Sequence, residues 1–135
     1  MGPISASNAI IQIGQIWTIN YPYTSNPVEY KPRPGVIVGW TDFGPDEDEL
    51  VWVVSITSHG DGGRSRKGEI KVENPDQFGL TEGSYIRARN IYSISTDLFP
   101  TSIGPIGTLS DELVVRILKE IAKAITGKKY GLLPR

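Results

Sequence analysis

The sequence predicts a mainly β domain of the α+β class, in which a series of strands precedes one C-terminal helix. Three observations carry this. The runs Val36-Ile37-Val38 and Leu50-Val51-Trp52-Val53-Val54-Ser55-Ile56-Thr57-Ser58 are rich in the β-branched residues that fit a pleated surface. Residues 83–95 continue the β character, with polar and apolar side chains in rough alternation. Only residues 110–126 combine a helix start, an apolar stripe at helical spacing and a stop. At 135 residues the chain fits a single domain, 1–135, whose size allows a core without staples.

In chain order, residues 1–10 read as a flexible arm: Gly2-Pro3 with Ser5, Ser7 and Asn8 offers little to bury. The strand-forming part spans residues 11–95. Ile11 to Tyr21 reads as the first strand, with Gly14 a bulge where the alternation changes phase. Residues 21–30 hold two prolines and three tyrosines and form a loop. In Lys31-Pro32-Arg33-Pro34, the prolines fix φ on either side of Arg33 and keep it extended at the mouth of the apolar strand Val36–Trp40. That strand is expected to be central, and the Leu50–Ser58 run is its hairpin partner across the loop 42–49. Antiparallel pairing then brings Thr57-Ser58 back beside Arg33.

The loop 42–49 gathers Asp42, Asp46, Glu47, Asp48 and Glu49, a solvated run of like charge. After Ser58, residues 59–68 make a glycine-rich basic loop with Arg64, Arg66 and Lys67, but without the spacing of a dinucleotide or P-loop fingerprint. Residues 69–73 alternate as a half-exposed strand, and 74–80 suggest one helical turn closed by Gly79. In 83–95, the period of two puts Tyr85, Arg87 and Arg89 on one cationic face. Residues 97–107, broken by Pro100, Gly104 and Pro105, read as irregular. Ser110 caps the helix, and its stripe is Leu113, Val114, Ile117, Leu118, Ile121, Ala122 and Ile125, with Gly127 as the stop.

The absence of cysteine excludes a disulfide framework and a Cys-ligated zinc site. A formal charge of −1 argues against an all-over nucleic-acid binder, yet the arginines and lysines cluster. No apolar run approaches a membrane span, and the first residues lack the pattern of a signal peptide, so the expectation is a cytoplasmic protein with no membrane partner. His59, the only histidine, is a candidate proton carrier near neutral pH, and one histidine without spaced partners makes no metal site.

Gly14-Gln15-Ile16-Trp17, the Pro22 loop, Arg33-Pro34 before an apolar strand, Val54-Ser55-Ile56-Thr57-Ser58 and a late single helix occur in an order that resembles the MazF/PemK/Kid growth-inhibitor family, over roughly residues 12–126. The resemblance implies an SH3-like small barrel of the CcdB/Kid/MazF type and a homodimer. It implies the toxin of a toxin-antitoxin pair: a metal-independent endoribonuclease, without cofactor, that cleaves single-stranded RNA through 2′-hydroxyl attack and is blocked by a cognate antitoxin. Arg33 and Thr57 fall on the family's catalytic positions. A fixed guanidinium suits the charge that gathers on phosphorus during such cleavage, and a threonine hydroxyl can donate to the same phosphate. Glu29, a candidate base, stands one residue from the place of the family's loop glutamate. Arg87 matches a basic family position, whereas Arg89 stands where some relatives carry an acid.

Arg64, Arg66, Lys67, Arg87 and Arg89 are candidate phosphate contacts, and Tyr30, with Tyr21, Tyr23 and Tyr85, is a candidate for base stacking. Two other readings share the fold: a gyrase-inhibitor-like protein acting through its helix end and tail 128–135, and a nonenzymatic RNA-binding member.

Overall fold

The computed structural model describes residues 4–6, 9–22, 30–41, 50–59, 65–100 and 102–126. β1 (Ile4–Ala6) and β2 (Ala9–Ile11) pair as a small antiparallel ladder, and Ile11 is fully buried. The described part of the expected flexible arm is therefore structured. Two three-residue strands are too short to leave a periodic signal.

β3 (Gln15–Pro22), β4 (Tyr30–Trp40), β5 (Leu50–Ser58), β6 (Glu69–Lys71), β7 (Ser84–Ser95) and β8 (Pro105–Thr108) form one antiparallel sheet in the order β6-β7-β5-β4-β3-β8. As expected, β4 is central, and Val36–Val38 are buried between β3 and β5. β8 corrects the irregular reading of 97–107. Pro105 stands at the first position of a sheet-edge strand, where a missing N–H is tolerated.

The sheet curls around one core made of Ile16, Val36, Val54, Ile56, Ile70, Ile86, Ala88, Leu109, Val114 and Ile117, among others. Pro75–Phe78 forms a 3-10 turn ended by Gly79 at φ 73°, and the Phe78 ring lies over Gly107 of β8. The two ends of the sheet thereby approach each other. Among the described residues they share no ladder, so the sheet is barrel-like without being a closed barrel.

Helix α1 (Asp111–Thr126) seals this core. The Leu113 N–H donates to Ser110 Oγ at 3.2 Å, the expected cap. Val114 and Ile117 are buried, and Leu113 and Ile121 pack against the core. Leu118, Ala122 and Ile125 of the expected stripe are exposed, Ile125 at 64%. The apolar stripe is wider than the barrel mouth it covers. Among the described residues, no helix is long and apolar enough to cross a membrane.

A second core lies on the opposite face of β3, β4 and β5, with Ile11, Trp17, Ile19, Tyr21, Ile37, Val51, Val53, Ile94 and Phe99. The candidate site continues this face beyond the cluster's edge.

Candidate functional site

The β4–β5 ladder runs from Trp40↔Val51 to Gly35↔Ser55 and ends there. Pro34 and Pro32 follow directly on β4, and neither has an N–H to give. Running the same register two residues further sets Arg33 opposite Thr57. The two strands thus carry these residues two positions beyond the last pair of their ladder, on the same face of the sheet by the strand period. β4 stays paired to β3 there, with Ile19 opposite Arg33, and β5 stays paired to β7, with Tyr85 opposite Thr57. Lys71 of β6 pairs with Tyr85 in turn. Directly paired residues share a face, so Ile19 and Arg33 on one side, and Thr57, Tyr85 and Lys71 on the other, flank the gap where the β4–β5 ladder has ended. Arg33 is exposed and Thr57 partly exposed.

His59 follows Thr57 by two residues, and its N–H donates to Gly83 O at 2.9 Å, which continues the β5–β7 register. Its ring packs against Tyr85 with centroids 5.1 Å apart, and Nε2 lies 2.8 Å from Glu69 Oε1. The same Glu69 oxygen accepts the Arg66 N–H at 2.7 Å, while Oε2 faces Arg87 Nε at 3.6 Å. Burial alone pushes the Glu69 carboxyl up. The hydrogen bonds from Arg66 N–H and His59, with the charges of His59 and Arg87, more than offset that and hold it below the usual carboxylate range.

Arg87 therefore joins this neighbourhood through Glu69, its cross-strand partner. Arg89 has another partner. The β5–β7 register jumps from Ile56↔Ile86 to Val54↔Ile91, and the extra residues of β7 break the period of two. Arg89 Nη2 binds Glu120 of α1 at 3.1 Å, and Asn90 Nδ2 instead donates to Ser55 Oγ at 3.4 Å. Burial still alternates from Ser84 to Arg89, and Arg87 and Arg89 line one cavity, so the irregularity falls beyond Arg89; what sequence periodicity could not see is that Glu120 of the helix holds Arg89. Lys123 and Arg89 hydrogen-bond Glu120 and, against the opposing effect of burial, lower its carboxyl below the ordinary range.

Tyr30 is 55% exposed and lies three residues from Arg33, which by the strand period puts it on the other face. Arg66 and Lys67 are exposed beside a cavity of about 290 Å³ that Glu69, Arg87, Arg89 and Asn90 also line. Glu29 and Arg64 fall outside the described residues, as do the acidic loop 42–49 and the tail 128–135. Sequence reasoning missed Glu69, Lys71, Ser55 and Asn90. Glu69 and Lys71 looked like the polar side of a half-exposed strand, and nothing local marks a carboxylate whose importance comes from a loop histidine ten residues earlier.

Residues 12–125 match the family of PemK-like, MazF-like toxins of type II toxin-antitoxin systems. The chain belongs to this family. Among solved structures, this toxin is similar to an endoribonuclease in complex with its cognate antitoxin from a mycobacterial species. The TM-score is 0.59 at 18% identity, covering 93% of this chain and 99% of that one. That likeness shows the fold, including the curled sheet and the C-terminal helix. No curated protein matches the toxin's sequence.

Proposed function

We propose that this toxin is an endoribonuclease that cleaves single-stranded RNA by 2′-hydroxyl attack, without a metal ion. What supports the reading is that Arg33 and Thr57 each lie two residues beyond Gly35↔Ser55, the last β4–β5 pair, on one face of the sheet by the strand period, with His59 the next residue on that face. A phosphodiester seated there meets a guanidinium from one strand and a hydroxyl from the other. Arg33 keeps its proton throughout and stabilises the charge that builds on the phosphoryl oxygens. Thr57 donates a hydrogen bond to the same phosphate.

The 2′-oxygen bonds to phosphorus and the bond from phosphorus to the 5′-oxygen breaks. This leaves a 2′,3′-cyclic phosphate on one fragment and a 5′-hydroxyl on the other. The 2′-hydroxyl proton passes to a base, for which Glu29 is the family's nearest counterpart, and His59 supplies the proton that the departing 5′-oxygen takes up. Arg66, Lys67, Arg87 and Arg64 follow the RNA backbone away from the reacting phosphate. A cognate antitoxin, acidic and partly disordered when free, covers the same cationic face in the cytoplasm. The toxin acts as a homodimer, a reading supported by the apolar side chains Val115, Leu118 and Ile125 left exposed on α1.

The test is incubation of a long unstructured RNA with the toxin in EDTA, followed by analysis of the new ends. The expected result is cyclic phosphate and 5′-hydroxyl ends from the wild type. Arg33→Ala is expected to fold normally and cleave about 100- to 1,000-fold more slowly, as loss of a charge stabiliser does. Cleavage that requires an added divalent metal would refute the reading.

A further inference from the structure

Glu69 has no role in the chemistry above, yet the fold treats it unlike any other carboxylate among the described residues. Its side chain is only 3% exposed, on a three-residue strand at the sheet edge, and it holds three groups from three places. Oε1 accepts the Arg66 N–H from the preceding turn and lies 2.8 Å from His59 Nε2, while Oε2 faces Arg87 of β7. A buried carboxylate costs free energy unless such partners offset it. The partners here include the one histidine of the chain, itself 19% exposed and two residues past Thr57.

An ionised carboxylate can only accept, and Glu69 is held ionised. The bond at 2.8 Å therefore requires the proton on His59 Nε2. Nδ1 is then the only ring nitrogen left to give or take a proton. The Tyr85 ring, 5.1 Å away and tilted by 50°, limits rotation of the imidazole about the bond to Glu69. Tyr85 is also the cross-strand partner of Thr57, so the element that orients the ring is registered to Thr57. Among the described residues, the charged and titratable groups beside His59 and Glu69 are Arg87 and Tyr85 of β7, with Arg66 and Lys67 before β6.

We propose that Glu69 is a positioning residue: it holds the Nε2–H of His59, so that the imidazolium form presents Nδ1–H to the RNA as the proton donor for the departing 5′-oxygen and is left as the neutral Nε2–H tautomer. This rests on the ribonuclease reading. His59 Nδ1 loses its proton to the 5′-oxygen as the phosphorus–oxygen bond breaks, and solvent restores it before the next turnover.

The experiment uses the full chain as wild type, Glu69→Gln and Glu69→Ala, with two substrates of one sequence. The first is an ordinary RNA; the second carries a 5′-bridging phosphorothiolate at the cleaved linkage, whose sulfur leaves without being protonated. In the wild type, ¹⁵N shifts of the single imidazole should report the Nε2–H tautomer. Glu69→Ala should mix the two tautomers and lower kcat on ordinary RNA about 10- to 100-fold, with KM little changed and cleavage of the phosphorothiolate restored to near the wild-type rate. Glu69→Gln keeps an acceptor and should retain the tautomer and part of the rate.

An unchanged tautomer in Glu69→Ala, or equal losses on both substrates, would overturn the proposal. Normal cleavage of ordinary RNA by Glu69→Ala would do the same. If Glu69→Ala does not fold, the substrate comparison on Glu69→Gln decides: a loss on ordinary RNA that the phosphorothiolate repairs supports the assignment, and no such repair removes it. An inert wild type on both substrates would instead defeat the ribonuclease reading, while the tautomer measurement would still judge the contact between Glu69 and His59.

Discussion

Replacing Tyr21 by phenylalanine should make this protein more stable, although it deletes a polar group from a well-packed face. The Tyr21 hydroxyl is buried in the second core and makes no hydrogen bond among the described residues, while its ring stacks edge-on with Tyr92 at 4.9 Å. Leaving a buried donor unsatisfied costs roughly 1–3 kcal/mol, and Phe removes that cost while keeping the ring. The space vacated by one oxygen takes back a part, so the net gain is about 1 kcal/mol. An unfolding entropy of roughly 2.1 cal/mol/K per residue makes 1 kcal/mol worth about 3–4 °C at this chain length.

Thermal unfolding at pH 7 by circular dichroism would read the shift directly. The same hydroxyl predicts a pH effect. Burial first, and Tyr92 second, push the Tyr21 phenol above its ordinary value, so the unfolded chain ionises at this site before the folded one does. Its share of the stability is complete below about pH 10 and is lost as the pH rises beyond that; Tyr21→Phe should not show this loss. A lower Tm for Tyr21→Phe at pH 7 would refute the reasoning and mean that the hydroxyl has a partner.

Three further outcomes follow from the same geometry. A Cβ on Gly35 would run into the Tyr21 hydroxyl and come within 2.5 Å of Val53 Cγ1, so Gly35→Ala should cost about 1–3 kcal/mol by denaturant titration; a wild-type midpoint would contradict the packing. Glu69 has a lowered folded pKa, so its contribution is present above the ordinary carboxylate value near 4.3 and lost as the pH falls through the lower folded value. A Glu69→Gln protein should therefore lose less stability than wild type in acid unfolding between neutral pH and that range. Glu120→Gln, at the partly exposed ion pair with Arg89, should change stability by less than about 1 kcal/mol, and a larger loss would show that the pair does more than hold Arg89 against the helix.

What could be read from the sequence was what depends on neighbours along the chain. Val36–Val38 and the Leu50–Ser58 run announced paired central strands by composition, and Ser110 with Asp111 and Glu112 announced the helix start. That the Val36–Trp40 and Leu50–Ser58 runs pair antiparallel could be read because a hairpin needs only counting. What stayed hidden depends on contacts that counting does not reach. Arg89 is held by Glu120 of the helix, a partner thirty-one residues later with no local signature. Glu69 and His59 meet only because β6 is laid along β7, the strand whose register with β5 also brings His59 to that end of the sheet. The ends of the helix stripe, Leu118 and Ile125, looked like core since periodicity reports which side of a helix is apolar and not how much barrel lies beneath it.

The bulge at Val38 has a bearing on the far end of its own hairpin. Pairing passes from Ile37↔Val53 to Gly39↔Trp52 there, and the Trp52 indole lies beside Gly39, where a Cβ would come within 2.9 Å of Cε3. That indole acts as a peg in a slot. A strand that slides by one residue turns every side chain over, so a slip released at Gly39 would carry Arg33 to the underside of the sheet with its sequence and its prolines intact. Which way the arginine points thus depends on the opposite end of β4 as well as on its pairing with β3.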